Sequence, residues 1–215
     1  MLLVVAACAA DGAGTAEVVR IEATGCERPQ PRHGVGTVVA EGVVLAAAHV
    51  VEGGLRDLLV DGSPAAVVGL DGDADLALLA VIGPLPSAPS WRVTPRPDVG
   101  PGPVSIITPD GAIAARLNRT LTLQVEDVSA GTTSRRETLE LDLVVEPGTS
   151  GSPVVDADGS VIGVVVLARA STGVSYASRL PALPDLLDNA AYLAVRAAGD
   201  AANGGVLLDP PLACT

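Results

Sequence analysis

Apolar runs broken by polar positions recur along the chain at 17–23, 36–41, 43–48, 58–61, 65–70 and 76–82. They return at 103–108, 112–125, 137–145, 153–156, 161–167 and 173–177. Valine is frequent in these runs, and β-branched side chains suit a pleated, half-buried surface. Acidic-Gly pairs separate many of them, at Glu41-Gly42, Asp61-Gly62, Asp71-Gly72, Asp110-Gly111 and Asp158-Gly159. Such pairs are turn signals. The pattern predicts an all-β chain folded as a sandwich or barrel.

The runs fall into two groups. Between them, 83–103 holds seven of the 17 prolines. Proline gives no hydrogen bond to a ladder, so this stretch is predicted to be a surface connector and not a central strand. The first β unit is expected at about 15–83 and the second at about 103–178, each about 80 residues long. Beyond the second, Leu183, Leu186, Leu187, Ala190 and Leu193 follow helical spacing, which predicts a short helical segment before a C-terminal tail at 191–215.

Composition narrows the picture. Of 215 residues, 48% are hydrophobic and 18% charged, a globular balance. Trp91, Tyr176 and Tyr192 are the only aromatics, so the core is built from aliphatic side chains. All 13 cations are arginines, set against 25 acids for a net charge of -12. No basic cluster exceeds Arg135-Arg136, which argues against a nucleic-acid partner and against a polybasic membrane surface.

Three cysteines, Cys8, Cys26 and Cys214, and two histidines, His33 and His49, offer no zinc-type spacing; no metal and no cofactor are expected. Cys26 and Cys214 are read as one disulfide tying the two ends of the domain, which implies an oxidising compartment; two buried thiols are the plainer alternative. The apolar stretch 1–12 reads as an export signal. Within it, Val5-Ala6-Ala7-Cys8 resembles a lipobox, which makes Cys8 a candidate lipid anchor. His33, among the prolines and arginines of 28–33, reads as an exposed loop residue.

Three segments carry candidate chemistry. His49 ends Ala46-Ala47-Ala48-His49; Asp75 ends the acidic turn Asp71-Gly72-Asp73-Ala74-Asp75; Ser150 lies in Gly148-Thr149-Ser150-Gly151-Ser152-Pro153. The order His…Asp…Ser excludes the α/β-hydrolase arrangement, in which the Ser comes first. Asp75 is preferred over Asp71 and Asp73 because it abuts the apolar run 76–82, which sets it at the inner lip of a barrel. A serine hydroxyl becomes nucleophilic when a base takes its proton, and imidazole is suited to that at neutral pH. Gly148 and Gly151 let the loop bend tightly, so that the N–H groups of Gly148 and Ser150 can face a developing oxyanion.

The blocks Gly34-Val35-Gly36-Thr37 with Val44–Val51, Asp75-Leu76-Ala77-Leu78-Leu79 and Gly148–Pro153 together resemble the trypsin-like serine proteases of the chymotrypsin fold. The likeness covers about 15–190 and is greatest to the compact bacterial HtrA-like branch. It implies two antiparallel β-barrels with the active site in the cleft between them, in a protease domain at 13–190. It also implies an extracytoplasmic serine endopeptidase of bacterial type, acting on protein or peptide substrates through His49, Asp75 and Ser150. A substrate pocket is expected from Val144, Ala168 and Arg169, and its small apolar walls favour aliphatic side chains. Only about 25 residues follow the domain, so no PDZ domain is expected. Ala46, Thr149 and Ser152 depart from the usual family residues. The alternatives are a catalytically silent binding protein of the same fold and an esterase or other acyl transferase.

Overall fold

The computed structural model describes residues 17–26, 30–82, 92–93, 99–127, 132–181, 183–184 and 186–187. The first unit holds β1 (Val18–Gly25), β2 (Arg32–Ala40), β3 (Val43–Ala47), a one-turn helix α1 (Ala48–Val51), β4 (Leu55–Val60), β5 (Ser63–Asp71) and β6 (Leu76–Val81). Its strands close an antiparallel barrel in the order β1-β2-β3-β6-β5-β4, with β4 returning to β1. The second unit holds β7 (Arg92–Val93), β8 (Gly102–Thr108), β9 (Gly111–Asp127), β10 (Thr132–Leu141), β11 (Pro153–Val155), β12 (Ser160–Arg169) and β13 (Val174–Arg179). Six of these form a second ring, β11-β8-β9-β10-β13-β12, closed by pairing of β12 with β11; β7 adds in parallel to the outside of β12. The two expected barrels are present.

Two strands are buried on both faces, and they explain how the barrels meet. Every residue of β3 is buried, as is β12 from Ser160 to Val166. In β12, Ile162 and Val165 fill the second barrel, while Val161, Val164 and Val166 join the core of the first. Successive residues of a strand point to opposite faces, so Val164, Val165 and Val166 alternate between the two cores. Burial of aliphatic surface at ~25 cal/mol per Å² therefore stabilises docking of the barrels as well as each barrel alone. Leu183, fully buried, packs into the same core, with Leu186 and Leu187 beside it.

Several sequence expectations shift. The run expected at 137–145 ends as a strand at Leu141, and β10 instead begins earlier, at Thr132. With β9 it forms a long two-stranded ribbon, paired from Thr132–Asp127 to Leu141–Leu117. His33 is exposed, but it lies in β2 opposite Glu22 and not in a loop. Residues 1–12, Cys8, Cys214 and 191–215 lie outside the described residues.

Candidate active site

The β3–β6 ladder sets the first two groups side by side. Its last pair is Ala47 with Leu76, so Ala48-His49 leave one strand where Asp75 enters the other. The Ala48 N–H donates to the Asp75 carbonyl at 3.0 Å, and the His49 N–H donates to Asp75 Oδ1 at 2.9 Å. The imidazole Nδ1 of His49 lies 2.9 Å from Asp75 Oδ2 and 3.1 Å from Oδ1. Asp75 adopts φ of 57°, a left-handed conformation that a non-glycine residue holds only when its surroundings fix it. Asp71 does the separate work of a turn cap, its Oδ1 accepting the Ala74 N–H at 2.9 Å. Asp73 is exposed.

Ser150 comes from the second barrel, on the loop between β10 and β11. The Gly151 N–H donates to the carbonyl of Val165 in β12 at 2.7 Å, and the Val35 N–H of β2 donates to the Ser150 carbonyl at 2.8 Å. The loop is thus held from both barrels. Two glycines permit this approach. A Cβ on Gly151 would sit 1.9 Å from the Val35 carbonyl oxygen, and its φ of 90° is itself unfavourable for other residues. A Cβ on Gly34 would meet the Ser150 carbonyl oxygen at 3.0 Å.

The result is one hydrogen-bonded chain: Nε2 of His49 lies 3.0 Å from Oγ of Ser150. Asp75 is its buried end. The Asp75 side chain is 8% exposed and that of His49 42%, while Ser150 is half-buried at the mouth of a cleft of about 950 Å³. Next to Ser150, the N–H groups of Thr149 and Gly151 are committed to the carbonyls of Glu146 and Val165. Those of Gly148 and Ser150 meet no acceptor among the described residues. Thr149 turns its hydroxyl back to the Glu146 carbonyl at 2.7 Å.

The pocket residues are redistributed. Ala168 lines the cleft, with Val165, Val166 and Leu167. Val144 does not; it is 42% exposed, and Val145 takes the lining position. The cause is the end of β10 at Leu141. Past it, Ser175 of β13 accepts the Val145 N–H at 3.1 Å and donates to the Leu143 carbonyl at 2.8 Å, which turns Val144 outward. Arg169 is exposed and lies off the lining, at the end of β12.

One residue at the site was not anticipated. Arg136 of β10 reaches Asp75 Oδ2 with Nη1 at 3.1 Å. The sequence shows Arg135-Arg136 only as a small basic pair. The usable signal was strand alternation, which exposes Arg135 and turns Arg136 inward with Ser134. Among the described residues, no group of three or more His, Cys, Asp or Glu could hold a metal.

Comparison with known proteins bears on the family and the fold. The model of the trypsin-like peptidase domain matches residues 34–164. A protein named probable periplasmic serine endoprotease DegP-like, from Chlamydia pneumoniae, is 30% identical over 177 residues, covering 76% of this chain and 35% of its own length. Serine protease Rv3671c of Mycobacterium tuberculosis is 30% identical over 156 residues, covering 69% and 39%. The chain thus spans between a third and two fifths of the length of these relatives. The crystal structure of the Rv3671c protease in its active form superposes with a TM-score of 0.70, covering 83% of this chain and 82% of that one at 24% identity, a likeness of fold. With the family match extending over most of both barrels, from Gly34 of β2 to Val164 of β12, the chain belongs to the trypsin-like peptidase domain family.

Proposed function

We propose that this chain is a serine endopeptidase that hydrolyses peptide bonds through an acyl-enzyme on Ser150. The observation that best supports this is the continuous run of hydrogen bonds from Asp75 through His49 to Ser150. In this reading His49 Nε2 takes the hydroxyl proton as Oγ bonds to the substrate carbonyl carbon. It then gives that proton to the leaving amine as the C–N bond breaks, and water repeats the sequence to release the acid. Asp75 holds the imidazole in the tautomer with Nδ1 protonated and stabilises the imidazolium. The N–H groups of Gly148 and Ser150 receive the oxyanion; loss of one such donor typically lowers the rate ~10²–10³-fold.

The substrate side chain before the scissile bond is assigned to the wall of Val145, Val166 and Ala168, in which Val145 takes the role expected of Val144. We place the protein outside the cytoplasm, with 1–12 as its export signal and Cys8 as the candidate lipid attachment site. Cys26, which directly follows β1, is assigned to a disulfide with Cys214. Labelling with a fluorophosphonate probe, together with digestion of casein, tests the activity. Labelling that is lost in Ser150→Ala, with casein cleavage lost in parallel, is the expected result. Labelling without peptide cleavage would point to ester substrates, and absence of both to a binding protein.

A further inference from the structure

We propose that Arg136 is a positioning residue that fixes the Asp75 carboxylate, and through it the His49 ring. The inference rests on the catalytic roles proposed above for His49, Asp75 and Ser150.

Arg136 belongs to the second barrel, Asp75 and His49 to the first. Its guanidinium makes three bonds to a single turn of the opposite barrel. Nε donates to the Asp73 carbonyl at 2.9 Å, Nη2 to the Gly72 carbonyl at 3.2 Å and Nη1 to Asp75 Oδ2 at 3.1 Å. Both partners are withdrawn from water, the Arg136 side chain 11% exposed and that of Asp75 8%. Oδ2 is therefore shared between Arg136 and His49 Nδ1, while Oδ1 takes the His49 backbone N–H. His49 alone would hold Oδ1 through its backbone and Oδ2 only through a ring that can turn. Nη1 gives Oδ2 a second partner, itself anchored on the same turn by Nε and Nη2.

The turn needs that support. Asp75 is left-handed, and its own N–H reaches the Gly72 carbonyl only at 3.3 Å. Besides Arg136, the Ser178 hydroxyl binds the Ala74 carbonyl, and the Ala48 N–H binds the carbonyl of Asp75. Arg136 is the one cation among these supports, and the one that touches the carboxylate itself.

Two effects compete. A guanidinium beside Asp75 offsets part of the carboxylate charge, which taken alone would weaken its hold on the imidazolium. The fork also sets the direction of that carboxylate, and misplacement of a catalytic group by about 1 Å can cost on the order of 10²-fold in rate. With three of its donors engaged on one turn, the guanidinium does more by aiming the carboxylate than by offsetting its charge. Lysine would keep the charge without the three-point geometry.

The test compares kcat and KM on one peptide substrate for the wild type, Arg136→Met, Arg136→Lys, Asp75→Asn and the double variant Asp75→Asn/Arg136→Met, with thermal melting of each. We expect Arg136→Met to lower kcat on the order of 10²-fold with KM within about two-fold, and Arg136→Lys to fall between it and the wild type. In the Asp75→Asn background the Arg136→Met change adds little, because the arginine acts through that carboxylate. Wild-type or higher kcat in Arg136→Met, or a loss that multiplies fully with Asp75→Asn, overturns the proposal. If Arg136→Met does not fold, Arg136→Lys decides: a fall in kcat at unchanged KM supports the role, and wild-type kcat overturns it. Wild-type kcat in Asp75→Asn itself would remove the triad reading, and this inference with it.

Discussion

The Asp75 carboxylate is shielded from water, while the Ser150 hydroxyl at the other end of the same hydrogen-bond chain opens on the cleft. Both Ser150 and His49 face that cleft and not a core, so Ser150→Ala and His49→Ala are expected to lower kcat by ~10⁴–10⁶-fold with native melting behaviour. Active-site titration and calorimetry check the two halves of that statement; full proteolysis by purified Ser150→Ala protein would sink the assignment. Gly151→Ala should behave in the opposite sense. Its Cβ would collide with the Val35 carbonyl in a backbone conformation alanine resists, so a stability loss on the order of 3–5 kcal/mol is expected in denaturant titration. Thr149 bears on activation. Its hydroxyl is spent on the Glu146 carbonyl, and it carries no charge to pair with a newly cut N-terminal ammonium. Activity is therefore expected without N-terminal trimming, checked by assaying the protein before and after limited cleavage near residues 14–21.

Among elements, the segment after β10 decides which side chain the substrate meets. Ser175 staples it to β13, and both of that hydroxyl's bonds are lost in Ser175→Ala. One buried N–H is then left unsatisfied, a loss of about 1–3 kcal/mol, and Val145 is freed. A rise in KM larger than the fall in kcat is the expected kinetic sign. The wall itself is aliphatic, so a peptide library should show cleavage after Val, Ala, Leu or Met; dominant cleavage after Lys or Arg would contradict the wall as described.

This is also the scale at which the sequence was partly legible. The β3–β6 end pair and the acidic turn are local in sequence, and the strand runs and turn pairs marked both barrels. His49, Asp75 and Ser150 stood out by order and local motif, and they do meet in space. Val144 is expected in the pocket from the family resemblance alone, which does not record that β10 ends at Leu141 and that the chain beyond it turns Val145 to the cleft. One residue of register exchanges the inner and outer faces of an extended segment. Arg136 is only half legible: strand alternation turns it inward, but its partners lie more than 60 residues away in the other barrel, and no local pattern records which groups it meets.

At the scale of the whole molecule, the apolar contact between β3 and β12 joins the barrels, and the proposed disulfide would add a covalent tie. The loop it closes is about 190 residues long, for which chain-entropy arithmetic suggests at most ~5 kcal/mol. Thiol counting on the mature, non-reduced protein should find neither Cys26 nor Cys214 free. A lower melting temperature after reduction is the companion result. The loop of Ser150 has a further consequence. It is pinned on one side by Val165 and on the other by Val35, and Arg136 crosses in the reverse direction to reach Asp75. A nascent chain that has folded either barrel alone therefore carries only a fragment of the machinery. The proposed peptidase would be born harmless: during synthesis it could not cut its neighbours, and it would become a weapon only when its two halves close on each other.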